Sequence, residues 1–136
     1  MPTPFARLLA GLAATLLMIT ACDPNPTAEE ACTTGTSGGN PVIIVAGTFS
    51  PELANELFLG NALQAAGYTH CVLELKGMEE LGNLPGTMPI EISALSLKYF
   101  VNDVLDWSGA SQVDLVGHSQ GALVARSYIK DYDGEP

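Results

Sequence analysis

The chain has 136 residues, which is enough for one domain, and 47% of them are apolar, which is enough to bury a core. Its formal net charge of −10 argues against a nucleic-acid partner, because binding nucleic acid requires a basic surface. The same charge argues against electrostatic docking to anionic lipid headgroups.

The N-terminal region has the layout of a secretory signal. Arg7 is the only charged side chain before the uncharged apolar run 8–19, and small residues follow that run. The run is short for a transmembrane span, so we expect residues 1–21 to be a signal peptide and the protein to be exported. An uncleaved N-terminal anchor is the alternative.

The end of this leader, Ile19-Thr20-Ala21-Cys22, resembles a bacterial lipobox, in which the cysteine is lipidated and becomes the new N-terminus. The resemblance implies Cys22 as a lipid-anchored residue and residues 22–40, which are polar and small, as a tether or linker. The protein is then a secreted or membrane-anchored lipoprotein of a bacterial cell envelope. The alternative is an ordinary secreted protein that loses Cys22 with its leader.

Two further cysteines fit export. The chain has three cysteines, and Cys32 and Cys71 remain as an even pair if Cys22 is lipidated or removed. In an oxidising compartment such a pair can form a disulfide, which would fasten the mature N-terminal segment to the domain. Two free thiols are the alternative.

From residue 41 onward, short runs rich in β-branched residues alternate with amphipathic stretches. In chain order the pattern predicts strand 41–46, helix 52–66, strand 70–75, loop 76–89, helix 90–107, strand 113–116 and helix 122–132. This alternation predicts an α/β protein with a parallel sheet in a three-layer α-β-α order. Chemistry in such sheets gathers at the carboxyl ends of the strands.

One motif at such an end carries chemistry, Gly117-His118-Ser119-Gln120-Gly121. G-x-S-x-G is weak alone, but here it lies between a predicted strand and a helix, which is the context of a nucleophile elbow. Ser119 is the candidate nucleophile, and small residues at 117 and 121 allow the strand and helix to approach. An unreactive serine in an ordinary turn is the alternative.

The same elbow predicts an oxyanion hole. The N–H of Gln120 lies at the start of the helix, where backbone donors and positive potential gather. The second donor is expected from Gly47-Thr48, the turn after the first strand, where Thr48 can donate its N–H and its hydroxyl. Taken alone, that turn also reads as a plain connection between strand and helix.

Three stretches carry a family resemblance: 40–48, 67–71 and 113–126. They resemble the N-terminal half of bacterial lipases of the α/β-hydrolase fold, and also the fungal lipase B type, over about residues 32–133. The resemblance implies hydrolysis of carboxylic esters, often acylglycerols, with Ser119 as nucleophile and Thr48 and Gln120 as oxyanion hole. The lipase B likeness also supports the disulfide. Ala46 departs from many bacterial lipases, which have His there, but lipase B types lack that His too.

A serine hydrolase also needs a base and an orienting acid, which follow the serine in this fold. His118 is expected to pack in the elbow, His70 to be a surface or edge residue, and Asp131 and Asp133 to form a solvated helix end. We therefore expect residues 41–136 to be the N-terminal half of a hydrolase domain, truncated after the elbow helix and inactive alone.

Two other functions share these features. One is a catalytically inactive, lipid-anchored binding protein with a hydrolase fold, and the other is a different acyl-transfer enzyme such as a thioesterase, acyltransferase or peptidase. The histidines and cysteines lack metal-ligand spacing, and no phosphate-binding glycine motif is present, so no metal or cofactor is expected.

Overall fold

The computed structural model describes residues 26–132, except for the side chain of Leu53. Within this range the elements are α1 (Ala28–Ala31), β1 (Cys32–Thr33), β2 (Val42–Val45), α2 (Glu52–Asn55), a π-helical segment (Glu56–Gly60), α3 (Asn61–Ala65), β3 (His70–Leu73), a 3-10 turn (Glu79–Leu81), α4 (Ile90–Ser108), β4 (Asp114–Gly117) and α5 (Gln120–Asp131). The predicted signal peptide 1–21, Cys22 and Asp133 lie outside the described residues.

The described strands form one sheet in the order β1-β3-β2-β4. β2 is parallel to both β3 and β4, and Val45 is in register with Leu73 on one side and with Gly117 on the other. The carboxyl ends of these three strands therefore meet at one edge of the sheet. β2 is buried along its whole length, as its unbroken run of Val and Ile predicts.

Helices cover both faces of the sheet. On one face, α4 and α5 enclose the main core, in which Leu97, Phe100 and Val104 pack with Ile43 and Val45. The continuous helical stretch from α2 to α3 contacts β3 from the other face. The predicted three-layer, mixed α/β architecture of a partial α/β-hydrolase fold is confirmed. None of the helices within residues 26–132 combines the length and apolar character that a membrane span needs.

The N-terminal boundary of the domain differs from the sequence prediction of a linker over residues 22–40. Ala28 and Ala31, one helical turn apart, are buried in the core, and the Ala28 N–H donates to the Asp103 carboxylate of α4. Glu30 caps α1 by accepting hydrogen bonds from the backbone N–H and the hydroxyl of Thr27. These two bonds, the backbone one more strongly, lower the pKa of Glu30. Residues 28–33 therefore belong to the folded domain, because tertiary contacts stabilise a segment too short to fold alone.

A disulfide fastens this segment to the sheet. Cys32 and Cys71 are 39 residues apart in sequence, and their sulfur atoms are bonded. The two residues are in register between β1 and β3, which pair antiparallel. The disulfide thus holds β1, an edge strand, against β3, whose other neighbour is the parallel strand β2.

We predict that replacing both cysteines by alanine lowers the free energy of unfolding by about 2–4 kcal/mol, because the cross-link restricts the unfolded chain. Urea denaturation of the parent and of the double variant, each with and without dithiothreitol, measures this loss. Dithiothreitol should destabilise the parent alone. Equal stability of the oxidised and reduced parent would contradict the prediction.

Candidate active site

Ser119 lies at the sharp turn between β4 and α5. Its backbone angles are φ 53° and ψ −120°, whereas side-chain-bearing residues mostly avoid positive φ. Such a conformation costs about 1–3 kcal/mol and persists where surrounding structure enforces it. α5 begins at Gln120, two residues before the predicted start at 122, so Ser119 occupies the N-cap position, where its side chain makes no capping hydrogen bond. The side chain of Ser119 is exposed at the carboxyl edge of the sheet.

Two glycines of the motif permit this turn by their lack of a side chain. A Cβ on Gly121 would lie 2.1 Å from the Val45 carbonyl oxygen, and a Cβ on Gly117 would lie 2.4 Å from the Ala122 Cα. Both distances are below any real contact, and both neighbours are backbone atoms. The predicted small residues at 117 and 121 therefore serve the packing of α5 onto β2 and onto the end of β4.

A third glycine brings the turn after β2 against the elbow. A Cβ on Gly47 would lie 2.9 Å from the Ser119 Cβ and 3.0 Å from the His118 carbonyl oxygen. From the sequence, Gly47 is expected to allow close approach of a substrate. The structure shows that it allows the close approach of Ser119 itself. The His118 N–H also donates to the Val45 carbonyl at 3.0 Å, which ties the elbow to β2.

The two expected oxyanion residues are in direct contact. The Thr48 hydroxyl donates to the Gln120 Oε1 at 2.8 Å. This hydroxyl is thereby engaged, so what Thr48 offers a ligand is its backbone N–H. Among residues 26–132, neither the Thr48 N–H nor the Gln120 N–H has an acceptor, whereas the next two N–H groups of α5 bond back to His118 and Ser119. Two free donors thus flank the serine at the N-terminus of a twelve-residue helix.

The loop over 76–89 packs against Thr48 and Gln120, and its sequence does not predict this role. Gly86, at φ 72°, packs so closely that a Cβ there would lie 2.7 Å from the Thr48 Cα and 2.9 Å from the Gln120 Oε1. The adjacent Pro85 carbonyl accepts the Phe49 N–H at 2.8 Å. The Pro-Gly dipeptide predicts a turn, but its partners lie far away in sequence. The loop therefore positions the turn that holds Thr48.

Neither histidine is hydrogen-bonded to Ser119. His118 is exposed, and its Nδ1 lies 3.3 Å from the position of a Cβ on Gly47. His70 was expected at the surface or a sheet edge, and this is wrong, because it is fully buried at the amino end of β3. Its Nε2 lies 3.0 Å from both carboxylate oxygens of Glu56, which the π-helical segment carries over the sheet. His70 is therefore at the opposite end of the strands from Ser119.

The remaining acidic candidate within the described residues, Asp131, lies at the end of α5. Its carboxylate accepts the Ser127 hydroxyl at 3.1 Å and pairs with exposed Lys130, as a solvated helix end does. Between residues 26 and 132 no group of three His, Cys, Asp or Glu side chains is arranged to hold a metal ion.

We predict that Gly121→Ala lowers the free energy of unfolding by about 2–3 kcal/mol, because its methyl group would overlap backbone oxygens of β2. Gly39→Ala is the matched control, since the nearest atom to its Cβ would be 3.8 Å away. Urea denaturation of the two variants measures the contrast. Equal stabilities would show that α5 does not pack against β2 in this way.

The comparisons with known proteins agree with this geometry. The family model described as lipase (class 2) matches residues 39–135, which is most of the chain and includes the turn at Gly47, the loop over 76–89 and the whole elbow. No curated protein matches the chain. With the elbow, the paired donors and the mixed α/β sheet in place, the chain belongs to the class 2 lipase family, whose members are carboxylic ester hydrolases.

Proposed function

We propose that this protein hydrolyses carboxylic esters, including acylglycerols, through an acyl-enzyme on Ser119. The observation that carries the proposal is the positive-φ backbone of Ser119 at the start of α5, beside the Thr48 and Gln120 N–H groups, neither of which has an acceptor among residues 26–132. Neither an ordinary strand-to-helix turn nor a packing role requires a strained, exposed serine there. The geometry serves a nucleophile whose attack creates negative charge next to the helix N-terminus.

In the proposed reaction, the Ser119 Oγ attacks the ester carbonyl carbon and its proton passes to a general base. The carbonyl oxygen becomes an oxyanion, which accepts hydrogen bonds from the Thr48 and Gln120 N–H groups. The bond to the alcohol oxygen then breaks, the base returns its proton to the leaving alcohol, and the acyl group remains on Ser119. Water attacks the acyl-enzyme by the same steps and releases the carboxylic acid.

The base and acid are proposed to come from residues other than those described here. Support comes from β4, which pairs with β2 along one edge, while its other edge has no strand beside it within residues 26–132. Val116 of β4 is 37% exposed, and Leu123 of the following helix α5 is 58% exposed. A bare apolar strand edge is a hazard that sheets normally cover. Further strands pairing there would bring a histidine and a carboxylate to the carboxyl edge beside Ser119.

The absence of a base on Ser119 within the described residues equally favours a second candidate, an inactive binding protein that keeps the hydrolase fold. A thioesterase or another acyl-transfer enzyme would use the same elbow and oxyanion donors, since these groups recognise the reacting carbonyl and not the leaving group. Activity of a longer chain distinguishes an enzyme from the inactive binding protein. Comparison of ester and thioester substrates then distinguishes an ester hydrolase from a thioesterase.

Export and membrane anchoring are proposed in addition. Lipases of this family are typically secreted, and the disulfide between Cys32 and Cys71 is consistent with an oxidising compartment. A lipid on Cys22 would anchor the domain through the few residues before α1, which begins at Ala28. Five extended residues reach less than about 20 Å, so the domain would sit close to the membrane surface.

We predict that the 136-residue chain hydrolyses p-nitrophenyl butyrate no faster than its Ser119→Ala variant, because neither of its two histidines is hydrogen-bonded to Ser119 within residues 26–132. In the longest chain that the gene encodes, Ser119→Ala should lower kcat/KM by at least about a thousandfold. Release of p-nitrophenol, followed spectrophotometrically, measures both effects.

Ser111→Ala is the control for this assay, because Ser111 is exposed in the connection before β4, away from the elbow. It should retain the parental rate in the longer chain. Serine-dependent turnover by the 136-residue chain would overturn the proposed external base. A longer chain with no such turnover would favour the binding protein.

A further inference from the structure

The tight turn after β2 has an unusual residue at its centre. The Ser50 N–H donates to the Gly47 carbonyl at 3.2 Å, which closes a four-residue turn around Thr48 and Phe49. Phe49 has φ 58°, whereas Thr48 is not among the residues with positive φ. Positive φ at the third of the four residues alone is typical of a type II turn, in which glycine or asparagine normally occupies that position. Phenylalanine is therefore an unfavourable residue for the backbone of this turn.

Packing does not explain the phenylalanine either. Phe49 is 64% exposed, so its ring adds little to the core. Its N–H donates to the Pro85 carbonyl at 2.8 Å, a bond that any residue except proline could make. Among residues 26–132, the other non-glycine residues with positive φ are Asn83, a residue type that tolerates this conformation, and the candidate nucleophile Ser119. Backbone strain that the fold does not require is concentrated at ligand-binding and active sites.

Phe49 is adjacent to the proposed oxyanion hole. It follows Thr48 directly, so its Cα lies about 3.8 Å from the Cα of the residue whose N–H would hold the carbonyl oxygen. Gly47, on the other side of Thr48, lies so close to the elbow that a Cβ there would be 2.9 Å from the Ser119 Cβ. An ester bound at the Thr48 N–H would therefore have its acyl chain and its alcohol group within a few bonds of residue 49.

We propose that Phe49 contacts the substrate of Ser119 and selects esters that carry an alkyl chain, rather than a single methyl group, on one side of the ester bond. An exposed phenyl ring can pack against such a chain, and the contact removes apolar surface of both from water. The inference rests on the proposed function, because it uses the oxyanion donor of Thr48. It requires binding alone, so it can be tested without turnover.

Three small esters test the selection. Methyl pentanoate and butyl acetate are isomers that place the same butyl group on opposite sides of the ester, and methyl acetate lacks that group. The ¹⁵N-labelled 136-residue chain with Ser119→Ala excludes turnover, and the amide chemical shifts of Thr48 and Gln120 report binding. At least one isomer should bind about tenfold more tightly than methyl acetate, because about 55 Å² of apolar contact corresponds to about that factor. The tighter isomer identifies the side of the ester that Phe49 contacts.

Phe49→Asn in the same chain should remove this tenfold preference. The affinity for methyl acetate should stay unchanged, because the Thr48 N–H is retained. Asparagine tolerates positive φ, so the urea midpoint of the variant should be at least as high as that of the parent. A ring that only stabilised the turn would give the opposite result, a lower midpoint.

Phe58→Asn is the matched control, because it removes a ring that is 84% exposed in the π-helical segment. Its neighbours Glu56 and Gly60 both lie against His70, at the amino end of the strands and away from the elbow. The control should keep the full preference for the butyl esters.

Three results would overturn the role of Phe49: no tighter binding of either isomer than of methyl acetate, a preference that persists in Phe49→Asn, or a lower urea midpoint of that variant. A different result would overturn the oxyanion hole itself, and with it the proposed function. That result is the absence of saturable shifts at Thr48 and Gln120 with all three esters.

Discussion

The backbone of Ser119 is held at φ 53° because three close contacts leave the chain no relaxed alternative. Gly121 lies against the carbonyl oxygens that end β2, Gly117 lies against the first turn of α5, and Gly47 lies against Ser119 itself. Each contact involves the backbone of the glycine, so none can yield by rotating a side chain of that residue. The fully buried β2 is the fixed neighbour of Gly121, and Gly47 lies in the turn that follows β2. The strain at the serine is thus balanced by the packing of the sheet, and the hydroxyl is presented at the carboxyl edge with α5 behind it.

The other features of the site follow from this constraint. Once Gly47 is pressed against the elbow, Thr48 must lie beside Gln120, and their side chains hydrogen-bond to each other at 2.8 Å. That bond occupies the Thr48 hydroxyl, so the backbone N–H groups of Thr48 and Gln120 are the donors that we propose for an oxyanion. Gly86 closes the arrangement from the loop side, with no room for even a methyl group. The amino ends of the strands serve a different purpose, because the disulfide lies there and buried His70 contacts the partly exposed Glu56 there.

Structural features that depend on neighbouring residues in the sequence could be predicted. Features that depend on contacts between distant parts of the chain could not. The parallel strands and the elbow were predictable because β-branched runs and the spacing of Gly117, Ser119 and Gly121 act within a few residues. The short segment over 28–33 has the composition of a linker, and its helix depends on Asp103, 75 residues away. The burial of His70 could not be predicted either, because it depends on a tertiary contact. Its partner Glu56 lies in the π-helical segment that packs over β3. Ala28 and Ala31, and the turn at Pro85-Gly86, can be recognised in the sequence. The residues that they contact cannot be read from it.

The central claim is that the strained serine is a nucleophile and not a packing residue. The most direct measurement is peptide mapping by mass spectrometry after exposure of the longest encoded chain to a fluorophosphonate. The account predicts a single phosphonylated residue, Ser119, and no labelling of the Ser119→Ala variant. Labelling of a different serine, or none at all while the protein remains folded, would contradict it.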